Sequence, residues 1–177
     1  MMSSTNLPWT YSCYTQSLSN INETETLTAV YGNHMSGKSN ADVGYLYIDR
    51  VQSLTFFPNA IENFFPNLNL IIINTTTIKT LDGTELVPFK NLELFAFHRL
   101  NLERVPGNLF RSTPKMARIL LNNNNIKHVD DDLFDGLEYL EIVDFRSNYC
   151  INERADNATK ISSLIETIKA NCTVPEV

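Results

Sequence analysis

The chain has 177 residues, 43% hydrophobic and 19% charged, with a formal charge of −6 and a pI near 5.0. That length suits one domain with a sizeable core, and the acidic balance argues against a nucleic-acid surface, which needs clustered Lys and Arg. Apolar runs such as Leu70-Ile-Ile-Ile73 are far too short to cross a bilayer. Residues 1–9 carry no basic segment followed by an apolar one, so no secretory signal is visible there.

From the start of the chain, residues 1–10 offer only Trp9 as an anchor. Residues 11–15 and 26–31 are rich in β-formers and flank the polar stretch 17–24, which predicts a hairpin-like N-terminal cap over 1–42. Residues 32–40 are dense in turn formers. Their Met35-Ser-Gly-Lys-Ser39 has part of a phosphate-binding loop but lacks its first glycine and a preceding buried strand, so a surface loop is expected.

From Val43 to residue 149 a period of 24 takes over. With Met116 as position 1, apolar residues fall at 1, 4, 6, 11, 14, 19 and 22: Met116, Ile119, Leu121, Ile126, Val129, Phe134 and Leu137, with Asn124 at position 9. Stepping back 24 residues gives Leu92, Phe95, Phe97, Leu102, Val105 and Phe110; a second step gives Leu68, Ile71, Ile73, Ile78, Leu81, Leu86 and Phe89. Val43, Leu46 and Ile48 begin a degenerate unit of 25, and Leu140, Val143, Phe145, Asn148 and Cys150 begin one that does not finish. Such a register is the leucine-rich-repeat pattern, one short strand and a return arc per unit. The predicted fold is an α/β leucine-rich-repeat solenoid with a short parallel concave sheet, a β-rich N-terminal cap and a helical C-terminal cap. Strand alternation turns positions 4 and 6 inward and 3, 5 and 7 outward. Asn124 and Asn148 can satisfy backbone groups at position 9, Thr76 only partly, and Val51 and Leu100 not at all; looser or irregular early units are therefore expected.

A terminal unit leaves an open apolar end that needs a cap. In residues 158–170, Ile161, Leu164, Ile165 and Ile168 recur at helical spacing, with Asn157 placed to cap the helix. The cap spans 150–177. Cys150, at position 11 of the last unit, should meet Cys172 at the helix end in a disulfide. Cys13 is then left over.

Phe134-Asp-Gly-Leu-Glu-Tyr-Leu140, Asp144-Phe-Arg-Ser-Asn-Tyr-Cys-Ile151 and an isoleucine-spaced helix ending at Cys172 resemble the C-terminal cap of secreted insect leucine-rich-repeat proteins. Tyr11-Ser-Cys13, Gly32-Asn-His34, Ser36-Gly-Lys-Ser-Asn40 and Phe65-Pro-Asn-Leu68 resemble the N-terminal half of that group. More distantly the chain is similar to extracellular innate-immune and adhesion receptors built from these repeats. The resemblance implies a secreted, non-enzymatic binding protein with a role in immunity or adhesion. The sequence departs from the group in lacking the further cysteines expected near Cys13.

The outward columns suggest where a partner docks. Position 3 reads Tyr45, Leu70, Leu94, Arg118, Ile142; position 5 reads Tyr47, Ile72, Ala96, Leu120, Asp144; position 7 reads Asp49, Asn74, His98, Asn122, Arg146. An apolar belt bordered by a polar column marks a contact surface. Tyr45, Tyr47, Leu70, Ile72 and Leu94 are its expected centre, with His98 and Arg118 at its edge. Glycans are expected at the loop sequons of Asn22 and Asn157; one at Asn74 would project over the binding face, and Asn171 is disfavoured by Cys172 at its middle position. His34, His98 and His128 lack ligand spacing, and 130–132 lacks the spaced donors of a calcium loop. Neither metal, cofactor nor catalytic residue is therefore expected. The resulting expectation is an extracellular module binding a protein ligand, with no nucleic-acid partner and no membrane span. Its rivals are a self-associating scaffold, such as a homodimer, and an intracellular regulator that masks an enzyme surface.

Overall fold

In the computed structural model, residues 11–15 and 26–173 are described. In chain order the elements are β1 (Ser12–Thr15), β2 (Tyr45–Asp49), α1 (Ile61–Phe64), β3 (Leu70–Asn74), β4 (Leu94–His98), β5 (Arg104–Val105), β6 (Arg118–Leu120), β7 (His128–Val129), β8 (Ile142–Asp144), β9 (Arg154–Ala155) and α2 (Ala158–Cys172). One seven-stranded sheet runs β1-β2-β3-β4-β6-β8-β9, parallel throughout except for the antiparallel β8–β9 pair. A second, two-stranded sheet joins β5 to β7 on the return arcs. The molecule is a parallel β-solenoid ending in a helix.

The register of this sheet follows from the repeat. Cys13, Leu46, Ile71, Phe95, Ile119 and Val143 stand opposite one another across six strands. Positions 4 and 6 of every unit from Leu46 to Phe145 are buried, and Phe89, Phe110 and Phe134 close the arcs behind them. Phe95 and Phe97 lie 4.4 Å apart between ring centroids, with Phe110 edge-on to Phe95 at 5.7 Å. A slip of one residue would send this whole set to the outer face, so burial fixes the register. Leu81, Leu137 and Leu140 pack against the same core only half-buried.

Each strand ends at a corner where the residue at position 8 is left-handed: Arg50, Thr75, Arg99, Asn123 and Ser147 have φ between 53° and 59°. Only Asn tolerates that region readily among these types, so tertiary bonds impose it. The amides of Arg50, Thr75 and Asn123 each donate to the position-7 carbonyl of the next unit, at 3.0, 3.0 and 2.8 Å. In the later units an asparagine completes the corner, buried at Asn124 and half-buried at Asn148. Asn124 Nδ2 donates to the carbonyls of Phe97 and Leu121, and its Oδ1 accepts from the Leu100 amide. Asn148 repeats this with Leu121, Phe145 and Ile126.

One expectation is overturned. Residues 11–15 do not form a hairpin with 26–31. β1 instead lies parallel to β2, with Cys13 against the core, while Thr26 forms a parallel bridge to Asn59 on an arc. The alternation of Cys13 and Tyr14 matches that of Leu46 and Tyr47, and filling one more core position wins over a local turn. The early units are irregular in their arcs, which lack the pairing of β5 with β7, but not in their strands: β2, β3 and β4 have five residues each against three in β6 and β8. Val51 and Leu100, which cannot bond the corner, are buried as additional core instead. Trp9, the stretch 17–24 and the predicted glycan site Asn22 lie outside the described residues.

At the far end, α2 covers the last unit with Ile161, Leu164, Ile168 and Cys172. Asn157 Oδ1 accepts from the Lys160 amide at 3.0 Å, closing the first turn. Cys150 and Cys172 form a disulfide with their Cα atoms 5.2 Å apart. Residues 35–42 are an exposed loop: Lys38 pairs with Asp42 at 3.0 Å, and Ser39 and Asp42 bond each other across a short 3-10 turn.

Candidate functional site: the outward face of the strands

Parallel pairing in strict register stacks the outward side chains of successive strands into columns. Position 5 reads Tyr47, Ile72, Ala96, Leu120 and Asp144, and β1 adds Tyr14 ahead of Tyr47. Tyr14 is 54% exposed, and its ring lies 5.1 Å from that of Tyr47. Tyr45 stacks on Tyr47 at 6.2 Å, so three tyrosines form one platform. Burial, and then the neighbouring Tyr47 phenol, push the Tyr45 phenol above its ordinary pKa.

Leu70, Leu94 and Ala96 form a small apolar cluster on this face, with Tyr45, Ile72 and Leu120 packed against it. Leu70 and Leu94 are 5% and 7% exposed. They are therefore the floor of the belt, while Tyr14, Tyr45, Tyr47, Ile72 and Leu120 are its reachable part. Sequence reasoning missed Tyr14 because β1 was assigned to a hairpin. The alternation of residues 12–15 was the signal that could have found it.

The polar column closes one side. Asn74 Nδ2 donates to Asp49 Oδ1 at 2.8 Å, and this half-buried side chain is the predicted glycan site on the face. His98 bonds Asn122, in the next unit. Burial holds its imidazole below the ordinary pKa, with Asn122 and Asp144 opposing the shift and Arg99 adding to it. Among the described residues its Nδ1 is buried without a hydrogen-bond partner. Asp144, buried, accepts from Arg146 Nη2 at 2.6 Å and from Arg146 Nε at 3.0 Å. Arg118 pairs with Glu141 at 3.1 Å. The face therefore grades from aromatic at β1 and β2 to charged at β6 and β8.

The remaining sites named from sequence are scattered. His34 bonds the Tyr11 hydroxyl and Asn40 at 2.9 and 2.8 Å, while His128 is exposed on β7. Asp130 pairs with Arg104 and Asp132 with Arg111, so this acidic run is tied to arginines of the preceding unit. No group of three or more His, Cys, Asp or Glu that could hold a metal occurs among the described residues. Cys13 is a free thiol whose pKa is raised by burial, which disfavours the nucleophilic thiolate. Asn157 is exposed at the helix cap.

These features define a β-solenoid with an aromatic and apolar outer strand face. No protein-family model matches the chain, and a search of curated proteins finds no significant match. No helix among the described residues is long and apolar enough to cross a membrane.

Proposed function

We propose that the chain is an extracellular leucine-rich-repeat binding module that holds a protein partner against the concave face of its strands. The observation that carries this reading is the continuous belt of Tyr14, Tyr45, Tyr47, Ile72 and Leu120 at positions where a sheet meeting only water would carry polar side chains. Exposed tyrosines are favoured anchors because they bury a large area with few rotors to freeze. The 24-residue period and the Asn124 and Asn148 corners support the repeat assignment. The Cys150–Cys172 disulfide and the sequons support export, since disulfides persist in oxidising compartments. A role in immunity or adhesion rests on the resemblance alone.

The test is capture of partners from extracellular fluid with the wild-type chain and with Tyr47→Ala combined with Ile72→Ser. Loss of the captured partner at an unchanged melting temperature supports the reading. Equal capture by both proteins removes it. Light scattering of the purified chain distinguishes self-association on the same face. A reduced cysteine pair and unmodified sequons in the native protein would point to the intracellular regulator.

A further inference from the structure

A cleft of about 570 Å³ lies between the arcs of the first two units, away from the strand face. Its origin is in the repeat. Positions 13 and 14 of the next two units are β5 and β7, whose pairing joins those arcs. The corresponding residues, Phe56–Phe57 and Thr80–Leu81, form no such pair and instead line the cleft. The first of these arcs belongs to the 25-residue unit, and Ala60 takes a left-handed φ of 66° at the start of α1.

The lining combines apolar surface with unbalanced negative charge. Phe56 is 53% exposed, and the exposed Pro88 also lines the cleft. Glu62, Asp82 and Glu85 all line the cleft, and no Lys, Arg or His does. Glu85 accepts from the amides of Asp82 and Gly83 at 2.7 and 2.9 Å, and Asp82 from the Thr84 amide at 2.7 Å. These bonds fix two carboxylates in place without neutralising them. Glu62 has neither ion pair nor hydrogen bond among the described residues.

We propose that this cleft binds a small organic cation, an amine carried on an apolar body. Fixed carboxylates supply the counter-charge, the exposed ring of Phe56 offers a cation–π contact, and the volume falls in the range of small-molecule sites. The site is separate from the strand face, so it stands or falls independently of the proposed partner.

The experiment titrates the folded chain with phenethylamine, its neutral isostere 2-phenylethanol and the anion phenylacetate, followed by NMR shifts of backbone amides. The amine should bind with a dissociation constant of about 1 mM, roughly tenfold tighter than the alcohol. Its shifts should centre on residues 56–62 and 80–85, and phenylacetate should not bind. Phe56→Ala should abolish binding. Glu62→Gln, a change of one half-buried surface group, should weaken the amine several-fold and leave the alcohol unchanged. If Phe56→Ala unfolds the chain, Glu62→Gln decides. Equal affinity for amine and alcohol, shifts centred on the tyrosine platform, or no saturation by the amine overturns the proposal.

Discussion

In the unit that begins at Met116, the strand-ending corner is held by Asn124, whose amide and carbonyl groups meet three backbone partners inside the core. In the unit that begins at Leu68, Thr76 stands in the same place, and among the described residues its hydroxyl meets only the Ile78 amide, at 3.5 Å. The arcs differ in parallel: β5 and β7 pair in the later units, whereas the earlier arcs part around a cleft. Yet the earlier strands are the longer ones. The difference shows that the two halves of a repeat unit are stabilised separately. Position 9 governs how the strand hands over to the arc. Strand pairing depends on inward side chains at 4 and 6, which both regions have in full.

The sharpest contrast is Asn124→Ala against Thr76→Ala. The first leaves the Leu100 amide and the Phe97 and Leu121 carbonyls buried without their side-chain partner, at a cost of about 3–4 kcal/mol. The second should cost about 1 kcal/mol, the worth of one weak bond and a buried methyl. Chemical denaturation measures both; equal losses would break the distinction between the two regions.

The ends of the array differ as well. α2 and the Cys150–Cys172 bond close one end, while β1 is the last described strand at the other. Replacing both cysteines by Ala should lower stability by about 3 kcal/mol, because the bond closes a loop with a separation of 22 residues. Hydrogen exchange should rise first in α2 and β9 and leave β2 and β3 unchanged. Uniform loss of protection would show that the array unfolds as one unit.

The smallest effect separates the aromatic and charged ends of the face, at His98. Burial lowers its folded pKa, against the Asn122 bond and the Asp144 charge and with the help of Arg99. The unfolded chain therefore takes up the proton first as pH falls below about 6.5. This contribution is complete above that pH and is lost as pH falls toward the folded pKa. His98→Gln should flatten that part of the stability profile. An unchanged slope would assign it to other groups.

Much of this arrangement was legible in the residues. The inward set, the α2 face and the cysteine pair follow from burial periods that a single sequence displays. Arg50, Thr75, Arg99 and Ser147 give no local sign of left-handed backbone; at Arg50 and Thr75 the partner is a carbonyl in the next unit, and at Ser147 it is the Asn152 side chain. β1 was hidden because Cys13 and Leu46 are 33 residues apart, outside the period. The outward columns were readable, but the burial of Leu70 and Leu94 was not. It depends on how Tyr45, Ile72 and Leu120 lean across neighbouring strands.

Oxidative footprinting of tyrosines, in the free chain and with a captured partner bound, tests the proposed use of the strand face most directly. Tyr14, Tyr45 and Tyr47 lie on that face, whereas Tyr139 and Tyr149 are exposed elsewhere at 64% and 72%. The expected result is strong protection of the first three and none of the last two. Protection of Tyr139 or Tyr149 with unchanged oxidation at Tyr14 and Tyr47 would contradict it.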